Sequence, residues 1–301
     1  MGPSHSTSMK RPVLLMAGLL LLGTLAPTAP NARASGQVNG IAGTIERTVT
    51  IFEDSQLSSD VRCMVTDGPC IAFGASGIAL RLNGFTISGP ADPPAICAPN
   101  SAVPEDGIAV VGQSNVAILG PGRVQTFRRH GVFLSQSENV TVRQITSGHN
   151  CFSGLQMSGV SNSDVEENIS AGNAIASGQS PCGGTCLTNS HNNRIRWNLY
   201  SGNGSVEPAN NDFGIGLVGS SSDNLIEENI IGGNTNGVLL QANTSANLIR
   251  RNTIVGNPPA QVSATFGAAV GADIMNLAPA GANTFEDNVC LTYAGAPPDP
   301  C

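Results

Sequence analysis

The chain is poor in aromatic and basic residues. It has 12 aromatic side chains among 301 residues, only one of them Trp, which fits a narrow interior filled by Val, Ile and Leu. Its 14 basic residues fall to 11 once Lys10, Arg11 and Arg33 are set aside, against 21 acidic residues, so the net charge after residue 34 is −10. This balance argues against nucleic acid and anionic membrane surfaces as partners, because both attract basic patches.

No apolar run is long enough for a comfortable membrane span. The main run, residues 13–25, follows Lys10 and Arg11, and Ala32-Arg33-Ala34 comes after it as a small-x-small pattern. This order predicts a secretory signal peptide over residues 1–34 that is cleaved near Ala34. We therefore expect a secreted or periplasmic mature chain, residues 35–301, without a membrane span.

The sequence also lacks a clustered metal-ligand motif and a close acidic pair. Three His and three Met after residue 34 are scattered, which argues against a soft-metal site such as copper. In Glu166-Glu167 and Glu227-Glu228 the neighbouring side chains should leave opposite strand faces, which does not fit a glycosidase. We expect no cofactor, but calcium ligands drawn from different turns would leave no local motif, so the sequence leaves a calcium site open.

Cysteine is present in an even number, with all 8 residues after position 34. In an exported chain this favours disulfides, although spacing does not fix their connectivity. Zinc is a rival interpretation for Cys182-x-x-x-Cys186, where the nearest His is His191. We expect the local pairs Cys63–Cys70, Cys182–Cys186 and Cys290–Cys301, and the long-range pair Cys97–Cys151.

An internal repeat organises the second half of the chain. GIGLVGSSSDNLIEENIIGGN (residues 214–234) and GVLLQANTSANLIRRNTIVGN (residues 237–257) match at ten of twenty-one positions, offset by 23 residues. Repeats of this length indicate units that bury their apolar face only by stacking. The strands are too short, and Gly and Asn too frequent, for helical repeats. We therefore predict a coil of parallel β-strands with about eight readable turns.

Two columns of Asn set the register of this repeat. Members of the first column lie five residues before members of the second, and Ser163 stands in the first column beside Asn168 in the second. Asn tolerates left-handed backbone conformations and bonds nearby backbone, so we expect it at a tight bend in each turn. Like amides stacked at about 4.8 Å can also bond along the column. The other members of the first column are Asn193, Asn224, Asn247 and Asn283, and those of the second column are Asn198, Asn229, Asn252 and Asn288.

The N-x-I-x-x-N-x-I repeat resembles that of the right-handed parallel β-helix proteins of the pectate-lyase-like superfamily, and most of all their secreted NosD-like group. The stretch CIAFGASGIALRLNGFTISG is similar to the first turn of that group, but has Arg81 and Phe85 where Asp and His are usual. The resemblance implies an all-β, single-stranded right-handed parallel β-helix. Its parts would be an N-terminal capping region (35–76), repeat turns (77–289) and a C-terminal tail (290–301). Such folds host lyases, epimerases, hydrolases, esterases and inert stalks.

Insertions interrupt the repeat at one phase, after the G-N turn and before the next apolar strand. Equivalent Asn residues are separated by 30, 31, 23 and 36 residues, and residues 90–106 are inserted at the same point. Because the units stack, these insertions should form a wall beside an elongated groove. The predicted floor consists of residues 108–111, 132–134, 155–157 and 215–218.

Polar residues that the repeat does not explain collect at this phase. Asp106 and His130 precede Gly on adjacent turns, so we expect them about 4.8 Å apart in backbone. His149 is predicted to occupy the position of the G-N Asn. An acid, a His and Arg at one groove fit proton abstraction beside a uronic acid carboxylate, which leads to β-elimination or epimerisation. The predicted catalytic residues are Asp106, Arg128, Arg129, His130 and His149, and the predicted substrate-binding residues are Glu105, Asn150, Glu207 and Asp212.

We therefore expect a monomer that binds an extended, acidic polysaccharide in this groove, with uronate lyase or epimerase activity as the leading hypothesis. The main alternative is a non-catalytic carbohydrate-binding or structural protein of the cell envelope or extracellular space. A copper-enzyme maturation factor is a third, less favoured hypothesis. In the simplest interpretation Asp106 caps a turn, His130 lies in a solvated loop, and Arg128-Arg129 form a solvated face.

Overall fold

Short strands separated by bends make up the described part of the chain. The computed structural model describes residues 39–91, 97, 104–174, 183–204, 213–257, 272–296 and 300–301. The first strand begins at Asn39, so strands also occupy the region 35–76 that was expected to form a cap. The described strands are β1 (Asn39–Ile45), β2 (Val49–Ile51), β3 (Ser55–Cys63), β4 (Ile71–Phe73), β5 (Ala79–Arg81), β6 (Thr86–Ser88), β7 (Ile108–Val111), β8 (Ala117–Gln125), β9 (Val132–Ser135), β10 (Thr141–Gly148), β11 (Leu155–Ser158), β12 (Asp164–Glu166), β13 (Ile169–Ala171), β14 (Thr185–Thr188), β15 (Arg194–Arg196), β16 (Leu199–Ser201), β17 (Phe213–Val218), β18 (Leu225–Glu227), β19 (Ile230–Gly232), β20 (Asn236–Leu240), β21 (Leu248–Arg250), β22 (Thr253–Ile254), β23 (Ile274–Asn276), β24 (Thr284–Glu286), β25 (Val289–Cys290) and β26 (Tyr293–Gly295).

The strands stack in parallel into three faces, which each turn visits in the same order. Face 1 is a sheet of ten strands, β2, β4, β7, β9, β11, β14, β17, β20, β23 and β26. The other sheet bends into two faces, with β5, β12, β15, β18, β21 and β24 in face 2 and β6, β13, β16, β19, β22 and β25 in face 3. The longer strands β1, β3, β8 and β10 run through both of these faces. The chain is thus a parallel coil, as the repeat predicts.

Alternation of apolar and polar residues decides which side chains enter the coil. In β9, Val132 and Leu134 are buried in the core, while Phe133 and Ser135 point outward. The same rule places one continuous aliphatic cluster along the interior, from Ile41 to Cys290. At about 25 cal/mol per Å² of apolar surface, this burial is the main stabilising term of the fold.

Three Asn ladders line the bends of the coil, one more than the sequence predicts. In the second ladder each Asn Nδ2 donates to the Oδ1 of the next turn at 3.0 Å, from Asn168 to Asn288. The third ladder uses the Asn of the G-N turn and ends on the carboxylate of Asp273. Every Asn in this third ladder is buried and bonded within the coil. The structural role predicted for the first two columns is confirmed by their amide bonds from turn to turn. The third ladder consists of Asn150, Asn173, Asn203, Asn234 and Asn257.

The left-handed bends are not made by the ladder Asn, and that expectation was wrong. Except at Asn283, the residue just before each ladder Asn has the positive φ, for example Asn192 at 57° and Gly202 at 61°. This arrangement leaves the Asn amide pointing inward, where it bonds the neighbouring turn. At the corner between faces 2 and 3 the residues with positive φ are Gln144, Glu167, Trp197, Glu228, Arg251 and Asp287.

The Gly at the start of six face 1 strands, β7, β9, β11, β14, β17 and β20, is required by close stacking. A Cβ on Gly107 would lie 2.5 Å from the carbonyl oxygen of Gly131 on the next turn, and a Cβ on Gly184 would collide with that of Gly214. Only a residue without a side chain fits there, which explains why the repeat unit begins with Gly.

The outer surface of face 2 carries alternating charges. Cross-strand register aligns Arg143, Glu166, Arg196, Glu227, Arg250 and Glu286. The predicted opposite orientation of Glu227 and Glu228 was wrong, because both bind Arg251, at 3.0 and 3.2 Å. The left-handed bend at Glu228 rotates the backbone and brings the two side chains to one side. Arginine neutralises both carboxylates, so they are not a free acidic pair.

Disulfides tie the coil at both ends and at the first insertion. The pairs Cys63–Cys70, Cys97–Cys151 and Cys290–Cys301 are present as predicted. Cys186 is also disulfide-bonded, whereas its predicted partner Cys182 lies outside the described residues. Nowhere in the described ranges is there a helix of the length and apolar character that a membrane span requires.

Candidate functional site

The predicted catalytic phase lies where the chain enters face 1. Glu105 and Asp106 precede β7, while Arg128, Arg129 and His130 precede β9 on the next turn. Gly107 N–H donates to the His130 carbonyl at 2.9 Å, and His130 N–H donates to Asp106 Oδ1 at 3.1 Å. The predicted contact between adjacent turns is thus present, through the backbone of His130. We call these five residues the entry cluster.

Two ion pairs cross the entry cluster. Arg128 Nη1 lies 3.1 Å from Glu105 Oε1, and Arg129 Nη1 lies 3.5 Å from Asp106 Oδ2. The carboxylates are 4% and 1% exposed, whereas the two arginines are 30% and 27% exposed. The acids therefore lie beneath the arginines, which face solvent. Glu105 Oε2 is buried and has no hydrogen-bond partner among the described residues.

His130 is enclosed rather than solvated. Its ring stacks on Phe133 with 5.7 Å between centroids, and Phe152 lies at the same distance in a tilted arrangement. Nδ1 accepts a hydrogen bond from Ser153 N–H at 3.3 Å, which assigns the proton of the neutral ring to Nε2. Burial, and secondarily the nearby Arg129 charge, hold the pKa of His130 well below its usual value. His130 is therefore neutral at physiological pH.

Arg129 makes a second contact that the sequence does not reveal. Its guanidinium carbon lies 4.9 Å from the centroid of the Phe133 ring. Because Phe133 alternates with the inward residues of β9, its ring stands on the outer surface of face 1. Cation–π contact and the ion pair to Asp106 together hold the guanidinium at the edge of this face.

Burial shifts the acidity of both carboxyl groups. It raises the pKa of Asp106 to about 6, against the opposing effects of Arg129 and the His130 N–H. It also raises the pKa of Glu105, and Arg128 opposes the rise. Asp106 therefore changes charge between pH 5 and 7, directly behind the partly exposed Arg129.

The structure separates His149 and Asn150 from the entry cluster. His149 is exposed with φ of 56°, and register aligns it with Gly172, not with the ladder Asn, so that assignment was wrong. Within the described residues no contact joins it to Asp106 or His130. Asn150 begins the third ladder: its Oδ1 accepts Phe127 N–H and its amide donates to Asn173. Being fully buried, it has no surface for the predicted substrate contact.

The insertion that precedes the entry cluster is anchored beside it. Cys97 is bonded to Cys151, and both pack with Ala91 and Phe152 in a small apolar cluster. Phe152 in turn packs on His130. This disulfide fixes one point of the predicted wall against the cluster. The predicted substrate-binding residues Glu207 and Asp212 lie outside the described residues.

The outer surface of face 1 continues the entry cluster along the coil. Beyond Phe133, the outward row at the beginning of the strands contains Gln156 on the next turn. At the opposite edge of the face lies an open polar cleft of about 530 Å³. This cleft is lined by Gln113, Ser114, Gln136, Glu138 and Ser161, among others. Face 1 thus presents arginine and aromatic groups at one edge and amide, hydroxyl and carboxylate groups at the other.

Sequence reasoning missed Phe133 and Phe152, the aromatic walls of the cluster. A signal for Phe133 was present, because it stands between two inward aliphatic residues and must point outward. Nothing in the sequence indicated that Phe152 would reach His130 on the preceding turn. In the described part of the chain, no group of three or more His, Cys, Asp and Glu side chains is placed to hold a metal ion.

Comparison with known families places the fold. The family described as right-handed β-helix region matches residues 105–289, more than half of the chain. This chain belongs to the right-handed β-helix family. The predicted fold class is thereby confirmed, including the hand of the coil. No curated protein sequence matches this β-helix protein.

Two solved structures show how far the likeness to other β-helices extends. The Dettilon tailspike protein gp208 has a TM-score of 0.52 at 17% identity, covering 71% of this chain and 43% of the tailspike. Pectate lyase Pel9A has a TM-score of 0.51 at 14% identity, covering 85% of this chain and 66% of the lyase. This β-helix protein therefore spans less than two thirds of the length of either. At these identities the likeness shows the fold alone.

Proposed function

We propose that this protein binds an extended acidic polysaccharide on the outer surface of face 1. The observation that carries the proposal is the partly exposed side chain of Arg129, whose guanidinium is held over the outward ring of Phe133. A guanidinium binds carboxylate by charge-assisted hydrogen bonds, and an aromatic ring accepts the apolar C–H face of a sugar. A uronic acid unit offers both groups together.

The repeat geometry supports a polymeric ligand. Outward side chains of face 1 recur on successive turns at about 4.8 Å, so a chain that lies along the coil can contact adjacent turns, for example at Phe133 and Gln156. Pectate lyase Pel9A, a structure with this fold, acts on such a polymer by its name. Three described disulfides fit an oxidising compartment, and we infer that the protein works in the periplasm or outside the cell.

Binding of charged and neutral polymers tests this proposal. We expect the purified protein to bind polygalacturonate or alginate oligosaccharides in isothermal titration, and to bind dextran and xylan fragments at least about tenfold more weakly, since these lack the carboxylate that Arg129 recognises. Affinity for the charged oligosaccharides should fall as salt rises from 50 to 500 mM. Equal binding of neutral and acidic fragments, or no binding of either, would contradict it.

Acidic pH should strengthen this binding. Protonation of Asp106, whose pKa is about 6, removes a negative charge behind Arg129, while uronate carboxyls with pKa values near about 4 remain ionised at pH 5. We expect affinity for oligogalacturonate to rise about fivefold from pH 7 to pH 5, on the order of 1 kcal/mol. His130 stays neutral and does not contribute.

The pH dependence has matched controls. The Asp106→Asn variant should bind at pH 7 as tightly as the parent binds at pH 5, with little change between the two. Glu105→Gln should retain most of the dependence. If Asp106→Asn keeps the full pH dependence and Glu105→Gln loses it, the assignment to Asp106 is wrong.

The stability of the protein should also depend on the protonation of Asp106. Because the pKa of Asp106 in the folded protein exceeds 3.8, its contribution to the free energy of unfolding falls as pH rises from about 4 to 6.

A uronate lyase or epimerase is the second candidate, favoured by the raised pKa of Asp106 beside Arg129. A base near neutrality and a cation for the sugar carboxylate are the groups that proton abstraction needs. If the protein is a lyase, incubation with polygalacturonate should produce unsaturated ends that absorb in the ultraviolet. Asp106→Asn should abolish this signal yet preserve binding. Epimerisation leaves no chromophore and is followed by NMR of the product.

Each of three outcomes of the ultraviolet assay assigns the function differently. Product from the parent but not from Asp106→Asn supports catalysis at the entry cluster. Product from both variants places the base elsewhere. Binding without product or epimerised sugar from the parent assigns the protein to the non-catalytic class of carbohydrate-binding β-helices.

A further inference from the structure

The single Trp of the chain stands at an unusual position. Trp197 lies at the corner between faces 2 and 3 with φ of 58°, and it is 45% exposed. A left-handed conformation costs a residue with a side chain about 1–2 kcal/mol. Other turns place polar residues such as Gln144 or Glu228 at this corner. The large aromatic ring of Trp197 is only partly buried at this corner.

Two neighbours hold the indole in place. Its Nε1–H donates to Glu228 Oε2 at 2.6 Å, and the Arg196 guanidinium carbon lies 4.1 Å from the ring centroid. The ring is therefore ordered before any ligand arrives, which lowers the entropy cost of binding.

Exposed aliphatic residues continue from Trp197 onto face 3. Register aligns Ile169, Leu199 and Ile230 on three successive turns, all pointing outward and all more than a third exposed. The next outward row is small, with Ala171, Ser201 and Gly232. We call Trp197, Ile169, Leu199 and Ile230 the apolar track. It is a flat strip one residue wide.

The dimensions of the track restrict its occupant. Three turns at about 4.8 Å span about 10 Å, or about 20 Å if Thr253 and Val289 are added two turns further on. A strip about 10 Å wide then offers about 200 Å², against about 800 Å² per partner in a stable protein interface. A second copy of this chain needs more area, whereas an extended chain of sugars running along the coil needs no more than this.

The charges beside the track favour the same occupant. Arg196 pairs with Glu166 at 3.3 Å, and Arg251 pairs with Glu228 at 3.2 Å. Because each of these charges is paired, the border contacts a ligand through hydrogen-bonding groups rather than through net charge. Sugars combine an apolar C–H face with a hydroxyl rim, which matches an indole bordered by paired Arg and Glu.

We propose that the apolar track is a second glycan-binding site, on face 3 and distinct from the Arg129 site at the entry to face 1. A sugar ring would stack on Trp197, and its neighbours along the polymer would lie on the aliphatic residues of the adjacent turns. The ligand class rests on the proposed function, but no residue is shared with the entry cluster. Two sites on one polymer would raise the affinity of long chains more than that of short ones.

The single Trp gives this proposal a direct readout. We expect oligogalacturonates and neutral xylo-oligosaccharides, added in increasing length, to produce a saturable change in tryptophan emission that persists in 1 M salt. The Trp197→Gln variant carries at this corner the same residue type that an earlier turn has at Gln144. It should lower the affinity for long chains about tenfold. The matched control Phe52→Ala removes another exposed aromatic side chain and should leave affinity unchanged.

Three results would overturn the proposal. The first is no change in tryptophan emission at any chain length. The second is an unchanged affinity of Trp197→Gln for long chains. The third is a dimer in sedimentation that Ile230→Asp dissociates, which would assign the track to a second copy of the chain. Calorimetric binding that depends on Arg129 but leaves emission unchanged would reject the track and keep the face 1 site. Loss of both signals would reject both proposals.

Discussion

Replacing Asn198 by Asp should lower the free energy of unfolding by about 3–5 kcal/mol at pH 7. Asn198 is buried, and its Nδ2 donates to the Val165 carbonyl and to Asn229 Oδ1. Its Oδ1 accepts hydrogen bonds from the backbone N–H and the Nδ2 of Asn168. Asp has the same shape but no N–H, so a carboxylate would face two acceptors without a counter-charge. Urea titration of the purified variant measures the loss.

Asn192→Asp is the matched control for this prediction. The substitution is chemically the same and lies only six residues away, but Asn192 is exposed, and Asp tolerates its left-handed backbone. Its unfolding free energy should change by less than about 0.5 kcal/mol. Lowering the pH to 4 should recover part of the stability of Asn198→Asp, because a protonated carboxyl donates again. If the two variants lose equal stability, the ladder does not have the energetic weight assigned here.

The second large effect concerns the face 1 site, where Arg129→Gln should weaken oligogalacturonate binding about 10- to 100-fold at pH 5. The change removes a charge-assisted hydrogen bond to the ligand and the cation over Phe133, worth about 1.5–3 kcal/mol. Asp106→Asn should act in the opposite direction at pH 7, because it removes the competing carboxylate. Isothermal titration calorimetry of the parent, Arg129→Gln and Asp106→Asn proteins measures these differences in affinity.

Arg128→Gln serves as the matched control at the same corner. Arg128 also pairs with a buried carboxylate and is about equally exposed, but the described contacts place only Arg129 over the Phe133 ring. We expect a loss of less than about threefold from Arg128→Gln, the size of a long-range charge effect. Equal losses in the two variants would contradict a specific site on Phe133. Thermal unfolding of each variant separates lost binding from lost structure.

Much of the fold follows from local rules that the sequence displays. Gly at the start of most face 1 strands, aliphatic residues at alternate positions, and Asn columns five residues apart all reflect backbone requirements that recur along the coil. For this reason Asn193 and Asn198 were correctly assigned to structural ladders. The third ladder was missed because Asn150 follows His149 instead of Gly, which hid its equivalence to Asn173.

The candidate site was less predictable because its contacts cross between turns. Sequence phase placed Asp106 beside His130, but not the burial that encloses the imidazole between Phe133 and Phe152. Pairing of Asp106 with Arg129 likewise depends on where two loops meet. The surroundings of Trp197 were unpredictable for a similar reason. The left-handed backbone at this corner turns the ring outward, and alternation along a strand does not specify which residues it meets there.

The most direct measurement is a crystal structure of the protein with a bound tetragalacturonate at pH 5. We predict the oligosaccharide along the outer surface of face 1, with one carboxylate on the Arg129 guanidinium and a sugar ring against Phe133. Density confined to another face, or a ligand whose carboxylates leave Arg129 untouched, would contradict the proposed site on this β-helix.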